Sequence, residues 1–259
     1  MGHIRLGALP KTRQWARIFD LLREPVPDPA RLADAVSCAA ERQMHLLKGD
    51  EGLNYCFWVL LRIAAAARAP DFDARLTQLG IDCSSVSSAL DFVRRVSDAV
   101  QPGLERRRGN AVFSRFAELS LRRALSQSIT DASQTLFGTS MAEIHAACHR
   151  CSSRDGFGKI ARRFFTEFTR RTVRFVIDKE ISNHVGSQGS FASSSDIGCF
   201  YQALDTYCEE ASLIVEDFSG GWFSKHNWET NDIIPEDSAS SFTAYALEKF
   251  MMELREDRK

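Results

Sequence analysis

A chain of 259 residues that is 44% apolar and 26% charged holds enough hydrophobic side chain for a sizeable core, which excludes wholesale disorder and fibrous architectures. Fifteen glycines and seven prolines are few for a turn-rich all-β protein of this size. The formal net charge of -1 excludes the broad positive field of a non-specific nucleic-acid coat, but it hides an uneven layout: +4 over residues 1–155, +4 over 156–181 and -8 over 205–259.

The first predicted helix spans about Lys11–Glu24, with Trp15, Ile18, Phe19 and Leu22 at helical spacing, and Pro25 and Pro27 end it. Asp28 as N-cap with Pro29 in the first turn opens a second helix towards Leu47. Leu53–Ala67 is the most apolar run. A membrane span needs about 20 largely apolar residues, and this run is shorter and contains Arg62, so it reads as a buried central helix. A brief segment at Phe72–Leu79 and a helix over Ser84–Val100 follow. The polar break Gln101–Gly109, with Arg106, Arg107 and Arg108, reads as a boundary between an N-terminal lobe (1–109) and a C-terminal lobe (110–259), or as a bend within one continuous domain.

Beyond it, Asn110–Leu136 carries Phe113, Phe116, Leu121, Leu125 and Ile129 as one long helix or two in line, which Gly138 stops. Ser140 with Glu143 matches a capping box, and the helix it starts runs to about Arg150. After a turn at Ser152–Gly156, Phe157–Ile181 forms a long helix rich in phenylalanine. Residues 182–196 hold two glycines and six serines and read as a loop. A helix over Asp196–Phe218 is expected to stop at Gly220 and Gly221, and a last helix to span Glu236–Arg255. No window alternates with period two and no solenoid repeat occurs, so the expected fold is an all-α, multi-helix bundle.

Seven widely spread cysteines, an odd number in a chain of this length, read as reduced thiols. Together with the lack of an apolar export core near the start, this leads to an expected cytoplasmic location. Arginine outnumbers lysine 26 to 7, a usage that points to a GC-rich bacterial gene.

Three constellations carry chemistry. Lys159, Arg163, Arg170 and Arg174 recur on one side of the Phe157–Ile181 helix, with Arg162 and Arg171 adjacent. Such a face either clamps phosphates of a nucleic acid or pairs with the acidic C-terminal region. The run His145-Ala-Ala-Cys148-His149-Arg-Cys151 offers zinc-type ligands, yet His145 and Cys151 drift apart on a helix and no fourth ligand follows, so no metal or other cofactor is expected. Residues 220–228 form a third, an expected aromatic loop in which Trp222, Phe223 and Trp228 beside Lys225 and His226 either plug the core or meet a partner.

His184 and His226 are the histidines placed for acid or base work, but there is no GxSxG, no Walker loop, no dinucleotide-binding glycine pattern and no HExxH. The function expected from these features is non-catalytic. They describe a helical adaptor or complex subunit that docks another protein, or a second copy of itself, through helical faces and the aromatic segment. The competing readings are a nucleic-acid accessory factor using the arginine face and a hydrolase or transferase using His184 or His226. No association with a membrane is expected.

Overall fold

Asp50 starts the centre of the molecule. Its carboxylate accepts the Leu53 amide at 2.8 Å, capping α1 (Glu51–Ala66), and its second oxygen accepts the Asn110 amide at 3.0 Å, which fastens this helix to a segment 60 residues later. Almost every side chain of α1 is buried, as its unbroken apolar run requires. The structure, a computed structural model, describes residues 47–133, 140–181 and 193–256 together with Arg31, Ala35 and His45. The helix expected over Lys11–Glu24, nearly all of the one leading to Leu47, and most of the serine-rich segment 182–196 with His184 therefore lie outside the described residues.

After α1 come α2 (Phe72–Gln78), α3 (Ala89–Glu105), α4 (Ala111–Ser133), α5 (Met141–Cys151), α6 (Arg154–Ile181), α7 (Ser194–Ala211), α8 (Leu213–Glu229) and α9 (Glu236–Glu256); α2, α3, α4, α5 and α9 pack on α1, while α7 and α8 pack on α6 and α9. The fold is all α. Among the described residues no helix is long and apolar enough to cross a membrane.

Phe57 of α1 is the hub of the core. It stacks on Phe242 of α9 at 4.9 Å and lies 5.1 and 5.4 Å from Phe165 and Phe164 of α6, while Phe157 stacks on Phe223 of α8 at 4.1 Å. One hydrophobic cluster runs from Leu47 to Leu247 and joins residues on both sides of position 109. The junction at 109 is tied in turn. Arg107 stacks over the Tyr55 ring at 3.6 Å and grips both carboxylate oxygens of Glu236 at 2.8 and 2.7 Å, linking the end of α3 to α1 and to the first turn of α9.

Several boundaries differ from expectation, and each difference has a physical cause. The third helix starts not at Ser84 but at Ala89, because Ser88 adopts an extended backbone and its hydroxyl caps the Asp91 amide at 3.1 Å. It continues through Pro102 in its last turn, although the proline supplies no N–H to the intrahelical ladder there. The turn at 152–156 is shorter than expected, since α6 already begins at Arg154 with the Gly156 amide on the Ser153 hydroxyl at 3.1 Å. The single helix expected over Asp196–Phe218 is two, broken at the fully buried Ser212, whose hydroxyl bonds the Glu209 carbonyl at 2.7 Å. The Ser140–Glu143 capping box is formed as the sequence indicates.

The largest correction concerns residues 220–228. They are helix, not loop: α8 runs from Leu213 through Glu229 without stopping at Gly220 or Gly221. A Cβ at Gly220 would lie 2.1 Å from the Arg154 carbonyl oxygen, and one at Gly158 would lie 2.7 Å from that of Glu216. The glycines are there so that the α6 and α8 backbones can touch, and the packing so gained outweighs their poor helix propensity.

Candidate functional site

The arginine-rich face of α6 is already occupied along most of its length. Arg162 pairs with Glu216 at 3.1 Å, Arg163 with Asp131, Arg171 with Glu167 at 2.5 Å, and Arg174 with Asp205 at 2.6 Å. Arg170 meets Glu209 at 2.6 Å and Asp205 at 3.2 Å, the latter within ion-pair range but not aligned as a hydrogen bond. Asp205, Glu209 and Glu216 belong to the acidic C-terminal region, so the two opposite charges found in the sequence meet inside one molecule. Tyr201 of α7 adds to this lattice. Its hydroxyl donates to Asp178 and its ring lies under Arg174 at 4.9 Å; burial first, and then the Asp178 carboxylate, push its acidity well below that of a free phenol. Lys159 is the exception on this face: it is exposed and makes no ion pair with a described residue.

The histidine–cysteine cluster is structural. His145 stacks on Phe72 at 4.5 Å and its Nε2 meets the Ala67 carbonyl at 3.0 Å. Cys148 is buried and Cys151 half-buried, and burial raises both thiols, Cys148 well above the ordinary range. Among the described residues no group of three histidine, cysteine or carboxylate side chains is placed to hold a metal ion.

Residues 222–228 divide between core and surface. Phe223 is fully buried against Phe157, and Trp222 packs on Phe242 at 4.6 Å. His226 stacks on the Trp222 ring at 4.1 Å with Nδ1 on the Trp222 carbonyl at 2.9 Å, and among the described residues no carboxylate or nucleophile hydrogen-bonds either its ring or that of His145. Lys225 makes a loose pair with Glu229 at 3.9 Å. Trp228 points outward and is 83% exposed.

Sequence reasoning missed the corner that follows Trp228. Thr230 ends α8, and Asn231 and Asp232 adopt left-handed backbones with φ of 49° and 65°, a conformation these two residue types tolerate. The Asp232 amide returns to the Asn227 carbonyl at 3.0 Å, a Schellman-type closure, and the Asn227 side-chain amide donates to the Asp232 carboxylate. Arg68 pairs with Asp232 at 3.7 Å. Ile234 is buried, and its carbonyl accepts the Trp58 indole N–H at 2.9 Å. Between these anchors Ile233 is 60% exposed. The Asn-Asp pair at 231–232 after Trp228 is the sequence signal for this corner, and the helix-stop signal of Gly220-Gly221 hides it.

No protein-family model, curated protein or solved structure matches the chain, so the functional reading rests on its own residues.

Proposed function

We propose that this protein is a non-catalytic docking subunit that binds another protein through the corner between α8 and α9. One observation carries the reading: a tryptophan and an isoleucine stand in solvent on a backbone that is held rigid from below. Exposed apolar side chains normally cost little individually, but tryptophan is the residue most enriched among interface hot spots, and a preformed anchor loses little conformational entropy on binding. The Schellman closure, the Arg68–Asp232 pair and the Trp58–Ile234 hydrogen bond supply that preformation.

The occupant that fits is a protein with an apolar pocket sized for an indole. The arginine face of α6 supports a nucleic-acid partner less well, because its guanidinium groups already hold carboxylates of α4, α6, α7 and α8, and a phosphate would have to displace them. A photo-crosslinking amino acid placed at position 228 or 233 of the full chain, in cells that make the protein, should give one discrete adduct with another protein. The same group at Arg94, which is exposed and polar, should not. Indistinguishable products from all three positions would remove the reading, and an adduct with the mass of two copies of this chain would reassign the corner to self-association.

A further inference from the structure

We propose that the cleft where α4 ends, α5 ends and α6 begins binds a phosphorylated small molecule with an uncharged organic part. The cleft has a volume of about 820 Å³ and is lined, among the described residues, by Arg68, Arg150, Lys159 and Arg163 against two carboxylates, Asp131 and Asp155. Pockets for small ligands span roughly 300–1,000 Å³, so a nucleotide-sized molecule fits. Lys159 and Arg163 also line the adjoining cleft of about 420 Å³, which places them at the seam between the two.

The charge at this end of α6 differs in kind from that of the rest of the helix. Further along, each arginine is matched by a carboxylate. In the cleft, Asp131 is committed to Arg163, while Arg150 reaches only the Ala132 carbonyl, at 2.9 Å, and Lys159 has no ion-pair partner among the described residues. Arg68 lines the cleft with its Nη1 donating to the Ser152 carbonyl at 3.3 Å and its Nε 3.7 Å from Asp232. The amino end of α6 meets the carboxyl ends of α4 and α5 here, and its Gly156 amide is already taken by the Ser153 hydroxyl, so the cleft's positive charge comes from its side chains. Asp131 and Asp155 offset part of it, which leaves the lining cationic by about two charges. Ala132, Ala147 and Cys151 give the same cleft an apolar wall, which suits a ring or sugar and not a bare ion.

The cleft shares Arg68 with the docking corner, so it is tested at residues that the corner does not use, Lys159 and Arg150. Isothermal titration calorimetry with adenosine triphosphate, without divalent metal, should give a saturable one-to-one isotherm. Lys159→Glu should weaken it at least about tenfold, the loss of one charge-assisted contact and its reversal. Arg94→Glu, an equal change of charge outside the cleft, should leave it unchanged. Lys159 is exposed, so its variant keeps the fold, which circular dichroism checks; Arg150→Gln provides a second variant with the same expected direction. Absence of saturable heat would overturn the proposal, as would equal weakening by Arg94→Glu. Inorganic pyrophosphate binding as tightly as adenosine triphosphate would overturn the organic part, and a single-stranded oligonucleotide binding more tightly than either would reassign the cleft to nucleic acid.

Discussion

Replacing Trp228 by alanine separates a docking anchor from a core residue. With 83% of the side chain in solvent, the remainder that touches the fold is about 40 Å² of a surface that can reach roughly 250 Å² in tryptophan. At about 25 cal/mol per Å², that contact is worth about 1 kcal/mol. Position 228 lies in the last turn of α8, where alanine regains roughly half a kcal/mol of helix propensity. The net loss of stability should be about half a kcal/mol, a shift in Tm of about 1 °C for a chain of this length. Binding should respond very differently, because truncating an aromatic hot spot costs about 2–4 kcal/mol, or roughly thirty- to a thousand-fold in affinity. The assay is competition: unlabelled Trp228→Ala protein should need that much more concentration than the parent chain to suppress the adduct formed from position 228 or 233. Equal competition by the two proteins would refute the reasoning, and so would a loss of several kcal/mol in stability, which would mean that the indole serves the fold.

Four further tests address the packing, its charges and its thiols. Gly220→Ala pushes a Cβ to 2.1 Å from the Arg154 carbonyl, a backbone atom that cannot move aside, and should cost at least about 2 kcal/mol in urea unfolding; Gly198→Ala, in α7 with nothing within 4 Å, should add about half to one kcal/mol. Glu236→Gln removes the charge from the Arg107 clamp, and since both partners are partly solvated the loss should be about 1 kcal/mol and should shrink as salt is added. At alkaline pH, burial holds the Cys208 thiol up to about 12 while an unfolded thiol ionises near 9.0, so the folded state retains a proton that the unfolded state gives up. Stability should therefore fall as pH rises above 9.0 towards 12, and Cys208→Ala should flatten that part of the curve; parallel curves for the two proteins would contradict the burial argument. In native protein at neutral pH, exposed Cys199 should react with a thiol reagent far sooner than Cys56, Cys148 or Cys208.

Local patterns determined much of this molecule without help from tertiary structure. The all-α class, the buried run that became α1, the Ser140–Glu143 cap and the opposition of a basic body to an acidic tail all follow from periodicity, capping chemistry and charge counts, which act over a few residues or add up regardless of arrangement. What only the packed structure decided are questions of distance between remote segments. Gly220 and Gly221 read locally as a stop, yet α8 passes through them because the backbone of α6 lies against the Gly220 side. Arg163, Arg170 and Arg174 share a helical face in any reading, but whether that face is open or filled depended on where Asp131, Asp205 and Glu209 came to rest. Helix spacing places side chains on one helix relative to each other, whereas their partners, and the exposure of Trp228 or Lys159, are set by contacts between segments far apart in the chain, and one sequence read locally contains no term for those contacts.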